Sequence, residues 1–239
     1  MSGSLRHARS DSTLVSLPQR YRLERRGSTS GTMNAVKMVV LGASGVGKSA
    51  LTVRYLTRRF IGEYHPTLEN TYRSKTTIDD EEFSMEILDT AGALENNIFR
   101  DGHTSWGEAF MFVYSITDRS SFEQVKQIWT DLKSQKSPQI VAALLVGNKN
   151  DLKHYRQVPT NDGDKLAEFM GCQFYEVSAL DGQQIPLVAE LFRNLVRELR
   201  NKKLETARKG SSTSAQMRRA VKEFLSFRSS KTRLNSNNS

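Results

Sequence analysis

The run Gly42-Ala43-Ser44-Gly45-Val46-Gly47-Lys48-Ser49 constrains this chain more than any other feature. It fits G-x-x-x-x-G-K-[ST] and stands between an apolar run at 36–41 and a segment at 48–58 that reads as a helix. A strand before and a helix after are the context that a phosphate-binding loop requires. The glycines let successive backbone N–H groups turn inward around a phosphate chain, and the helix N-terminus adds a favourable dipole. Lys48 supplies a point charge for β- and γ-phosphates, and the Ser49 hydroxyl is a Mg²⁺ ligand by type. Ala50 closes the stretch assigned to nucleotide contact. The loop alone means a nucleoside triphosphate, without saying which base or what reaction.

Strand and helix patterns alternate around this loop. Short apolar runs at 36–41, 109–114 and 140–146 read as buried strands. Segments 71–78 and 83–88 alternate on either side of the turn Asp79-Asp80, and 173–177 reads as a short sixth strand. Helical spacing appears at 120–134 through Phe122, Val125, Ile128, Trp129 and Leu132, and again at 161–170. A last helix at 185–200 carries Leu187, Leu191, Leu195 and Leu199. This order implies an α/β fold, a mainly parallel six-stranded sheet flanked by helices on both faces. Such sheets bind ligands at the carboxyl ends of their strands, where the loop at 42–49 falls.

Two further motifs fall at strand ends. Asn148-Lys149-Asn150-Asp151 follows the strand at 140–146. An Asp carboxylate accepts two hydrogen bonds from guanine, at N1–H and the 2-amino group, and adenine offers no such pair. Ser178-Ala179-Leu180 follows the next strand and is placed to give a backbone N–H to the guanine O6. Each motif alone also suits an ordinary loop cap. Behind a phosphate loop, in this order, they point to guanine.

The set 42–49, Thr67, Asp89-Thr90-Ala91-Gly92, 148–151 and 178–180 resembles the Ras superfamily of small GTPases over about residues 36–200. Within it the chain is similar to the Ras-like growth-inhibitor branch that lacks a prenylation box. Tyr64-His65-Pro66-Thr67-Leu68-Glu69-Asn70-Thr71-Tyr72, Trp106-Gly107-Glu108 and the tail carry that finer likeness. The resemblance implies a monomeric GTP/GDP-binding switch that hydrolyses GTP and meets effector proteins through its switch regions. It gives Thr67 a Mg²⁺ bond and an N–H to the γ-phosphate, as switch I. It gives Asp89 a water-mediated hold on Mg²⁺, and Gly92 N–H a contact to the γ-phosphate at the start of switch II. Phe60 would lie edge-on to the guanine, although a plain core or helix-end aromatic is its ordinary reading. Lys149 would cover the base.

The chain departs from that pattern in three places. Ala93 stands where Ras-like enzymes usually carry a Gln that orients the attacking water, and a methyl group makes no hydrogen bond. Ser44 stands where Ras proper has a Gly, crowding the space of an arginine finger. Leu180 replaces the commoner Lys, so only the backbone contact carries over. Glu95 is a poor substitute for the Gln, because a triphosphate repels a carboxylate. The expected activity is therefore slow GTP hydrolysis. The alternative is a module that holds GTP almost permanently and acts as a scaffold. A nucleotide kinase or ATPase would leave 148–151 without a role and lacks an Arg-rich lid.

Charge is uneven along the chain. The net charge of +9 comes from the ends: +4 over residues 1–34 and +8 over 201–239, against −3 over 35–200. That distribution argues against a uniformly basic nucleic-acid-binding domain. Residues 1–34 are read as a disordered basic arm rather than a mitochondrial transit peptide, 35–200 as the GTPase domain and 201–239 as a basic tail. Within the tail, Met217, Ala220, Val221, Phe224, Leu225 and Phe227 share one helical face, with Arg218, Arg219 and Lys222 outside it. A basic amphipathic helix suits an anionic membrane or a calmodulin-like groove, and folding back on the domain is its ordinary alternative. Ser2 excludes myristoylation, and the ending Asn235-Ser236-Asn237-Asn238-Ser239 has no prenylation cysteine. The expectation is a cytoplasmic protein without a stable membrane anchor. Cys172 is the only cysteine, so there is no internal disulfide.

Overall fold

The computed structural model describes residues 34–60, 70–90, 102–134 and 142–209. Six strands form one sheet: β1 (Asn34–Leu41), β2 (Asn70–Ile78), β3 (Glu81–Asp89), β4 (Ala109–Ser115), β5 (Ala142–Asn148) and β6 (Gln173–Glu176). Their order is β2-β3-β1-β4-β5-β6. Only the β2–β3 pair is antiparallel.

Sequence character follows position. β4 and β5 are buried at every residue, as parallel central strands covered on both faces require. β2, at the edge, alternates half-buried and exposed positions over most of its length. The turn joining β2 to β3 places Asp79 at φ 51° and Asp80 at φ 65°. Two successive left-handed residues match the right-handed twist of the strands.

Helices cover both faces. On one face α1 (Lys48–Thr57) and a helix over 185–209, here α5, enclose a core with Met38, Met85, Met111 and Leu144. On the other, α3 (Arg119–Ser134) and α4 (Thr160–Met170) pack over Phe110, Phe112, Tyr114 and Leu145. A single-turn helix α2 (His103–Trp106) precedes β4, and 3₁₀ turns occupy Asn150–Tyr155 and Gly182–Gln184. These three short elements have no periodic signal in the sequence.

Most element boundaries shift from the sequence expectation by a residue or two, and two of the differences bear on the site and its surroundings. β5 runs to Asn148, two residues beyond its apolar stretch, so the first residue of the guanine motif is still in the sheet. The helix expected over 185–200 continues to 209. Its buried stripe ends at Leu199, and ion pairs carry the rest: Arg200 to Glu81 at 2.8 Å and Lys203 to Glu108 at 2.6 Å.

Candidate nucleotide site

β1 lies between β3 and β4, so the chain leaves it toward opposite edges of the sheet. That reversal opens a crevice at the carboxyl ends of the strands. Loop 42–47 leaves β1 there, Asp89 ends β3, Asn148 ends β5, and Ser178 follows β6. Four distant motifs thus reach one edge of the sheet.

The loop is shaped by glycine where the backbone demands it. Gly42 has φ 144°, and a Cβ there would overlap the Val113 carbonyl oxygen. Gly47 has φ 98°, and a Cβ there would overlap the Asn148 side-chain amide. The loop therefore lies directly on β4 and on the guanine motif. Ser44 and Gly45 are exposed at its tip, while Val46 and Ala50 are buried and Ala43 packs against the core.

Lys48 is buried, and its Nζ donates to the Gly42 and Ala43 carbonyls at 2.8 Å each. Burial pushes its ammonium down to about 8, with the nearby Asp89 carboxylate working against that shift. Asp89 is also buried, which pushes its carboxyl up to about 6; a hydrogen bond from Ser49 and the Lys48 charge oppose the change. Asp89 Oδ1 has no hydrogen-bond partner. A buried, unpaired carboxylate oxygen beside a serine hydroxyl is an oxygen donor set suited to a hard cation such as Mg²⁺. Next to it, Thr90 Oγ1 anchors the strand end by donating to the Val40 carbonyl at 2.7 Å.

The guanine side is assembled around Asn148. Its amide donates to the Val46 carbonyl at 2.8 Å and accepts from Ala179 N–H at 3.1 Å. Of the N–H groups of 178–180, the segment expected to give one to the guanine O6, that of Ala179 is thus engaged by Asn148. Leu180 N–H donates to Ser178 Oγ at 3.1 Å, so it also has a partner within the protein. Lys149 takes φ 66° and opens the 3₁₀ turn that carries the exposed Asp151 carboxylate. Phe60 is 41% exposed just beyond α1 and is therefore no core residue. Thr67, Gly92, Ala93 and Glu95 lie outside the described residues.

Sequence reading missed Arg54. It is buried in α1, and its guanidinium donates to the carbonyls of Ala179 at 2.8 Å and Leu180 at 2.6 Å. The same guanidinium stands 5.8 Å from the Phe60 ring centre. A basic residue on a helix has no sequence mark that separates this role from a solvated one. Gln184 is a second omission: it accepts from Ser178 N–H at 2.9 Å and donates to Asn150 Oδ1 at 3.0 Å.

The family model described as "Ras family" matches residues 37–201, which include the phosphate loop, Asp89 and both guanine-side motifs. This chain belongs to the Ras family. It is 51% identical over 193 residues to the human "Ras-related and estrogen-regulated growth inhibitor", covering 80% of this chain and 94% of that protein. The Bos taurus protein of the same name is 50% identical over the same spans. "Ras-like protein rasS" of Dictyostelium discoideum is 43% identical over 164 residues, covering 69% of this chain and 83% of that one. These likenesses place the Ras-family chain in the growth-inhibitor branch, as a GTPase and a GTP-binding signalling switch.

Proposed function

We propose that this protein is a GTP/GDP switch whose intrinsic hydrolysis is slow, so that it stays GTP-loaded longer than Ras proper. The observation that carries the reading is Ala93, directly after Asp89-Thr90-Ala91-Gly92. The backbone N–H groups of 43–50 would bind the phosphate chain, and Lys48 would exchange its two carbonyl acceptors for phosphate oxygens. Ser49, Thr67 and Asp89 would hold Mg²⁺, Asp89 through water. Mg²⁺, when bound, neutralises charge on the β- and γ-phosphates. Asp151 would accept from the guanine N1–H and 2-amino group. Thr67 and Gly92 would sense the γ-phosphate and so order the two switches for effectors. At the residue-93 position no side chain aligns the attacking water, so the chemical step relies on the remaining charge stabilisation.

Cys172 sits half-buried in the turn between α4 and β6, packed against the core on that face of the sheet. Among the described residues no helix is long and apolar enough to cross a membrane. The protein is proposed to be cytoplasmic, with reversible contact to anionic membrane through its tail. The identity and ratio of nucleotide on protein purified rapidly from cells tests the functional reading. A mixed GTP and GDP load supports a switch. A load of GTP alone would favour the scaffold, and one of adenine nucleotide would overturn both.

A further inference from the structure

We propose that Gln184 is a positioning residue for guanine recognition: it braces the two base-contacting loops against each other. The inference rests on the guanine reading of 148–151 and 178–180 and adds a determinant of how long the nucleotide stays bound.

The brace is a fully used side-chain amide. Gln184 Oε1 accepts from Ser178 N–H at 2.9 Å, and Nε2 donates to Asn150 Oδ1 at 3.0 Å and Asp181 Oδ2 at 3.1 Å. Asn150 is the third residue of the guanine motif, beside Asp151. Its own amide donates to the Glu176 carbonyl at 3.2 Å, and its backbone N–H to the Val177 carbonyl at 3.1 Å. Ser178 Oγ in turn accepts from Leu180 and Asp181 N–H, both at 3.1 Å. One glutamine therefore touches the loop that carries Asp151 and the loop that carries Ala179. It is half-buried, so water replaces these bonds incompletely. None of its partners belongs to 42–49 or to Asp89, so the brace acts on the base side of the site and not on the phosphate side.

Holding both loops in place before nucleotide arrives lowers the ordering cost of binding. Loss of the brace should therefore speed release, and it should do so in a base-dependent way. Asp151 is the acceptor for the 2-amino group, which guanine has and hypoxanthine lacks. A loosened Asp151 costs GDP a contact that IDP never makes.

The test measures dissociation of fluorescent GDP and IDP, with Mg²⁺ present, from the full-length protein and its variants. Gln184→Met keeps the volume and removes the three hydrogen bonds; GDP release should rise about tenfold, which needs only part of their combined worth to reach the bound nucleotide. IDP release should rise less, moving the ratio of the two rates toward one. Gln184→Glu, which keeps only the acceptor, should move the ratio the same way and serves if the Met variant folds poorly. Asn150→Ala, which also removes the bond to the Glu176 carbonyl, should speed GDP release at least as much as Gln184→Met, and the double variant should fall short of the product of the two effects. Wild-type rates for Gln184→Met, equal acceleration of GDP and IDP, or multiplicative effects in the double variant would each overturn the brace. A wild type with no preference for guanine would instead overturn the reading of the site on which the brace depends.

Discussion

The Asn148 side chain donates to the Val46 carbonyl at 2.8 Å, linking the guanine motif to the phosphate loop across 102 residues of chain. Its oxygen holds Ala179 N–H, so one amide joins all three nucleotide loops. Asn148→Ala would leave a buried backbone carbonyl and N–H unpaired, at about 1–3 kcal/mol each. The expected loss is about 2–6 kcal/mol of stability, with weakened nucleotide binding. Urea unfolding of the nucleotide-free protein reads the first effect, and a variant as stable as wild type would remove this joint from the account.

Asp151 tests base choice. Asp151→Asn reverses one donor and acceptor, so GTP should bind at least tenfold more weakly and xanthosine triphosphate more tightly. Hydrogen bonds to a charged group, at about 1.5–3 kcal/mol each, set that scale. Competition between the two nucleotides measures it. Undiminished GTP preference in the variant would mean that another group reads the base.

Ala93 tests hydrolysis. Ala93→Gln should turn over GTP faster than wild type in a single-turnover assay. The gain should be modest in the isolated protein, because in Ras the activating protein's arginine supplies much of a roughly 10⁵-fold acceleration. Equal rates in the two proteins would show that a group other than residue 93 positions the water.

Cys172 gives a pH prediction. Burial, with a smaller contribution from Glu198, pushes its thiol up from 9.0 to about 12. The folded state thus favours the protonated thiol; that contribution to stability is present below pH 9.0 and is lost as pH rises toward 12. Only the thiolate attacks iodoacetamide. At pH 8 the native protein should alkylate about a hundredfold or more slower than free cysteine, and denaturant should abolish the difference. Native-state reactivity matching free cysteine would contradict the burial argument.

The tail should bind anionic membranes weakly. Each basic group near such a surface contributes about 1 kcal/mol, opposed by the cost of ordering the segment. In liposome sedimentation, residues 1–239 should pellet more with phosphatidylserine present and less at high salt, whereas residues 1–209, ending with α5, should not. Equal partitioning of the two proteins would rule out the membrane contact.

The sequence by itself determined the six strands, the longer helices and the glycine pattern of the loop at 42–49. Glycines at Gly42, Gly45 and Gly47, the Lys48-Ser49 pair and the buried strands are local features, and local sterics and hydrophobic periodicity write them directly into the residue order. The order of motifs was equally legible, because the loop at 42–47, Asp89, Asn148 and Ser178 each stand at or just after the end of a strand. Only the tertiary structure decided which groups meet. Arg54 on α1 reaches Ala179 and Leu180, and Gln184 reaches Asn150, through side-chain hydrogen bonds that no spacing encodes. The same holds for α5 beyond residue 200, where the apolar stripe has ended and pairing with the distant Glu108 takes over. Such contacts depend on where the sheet brings remote segments together, and hydrogen bonds between remote segments leave no periodic trace along the chain.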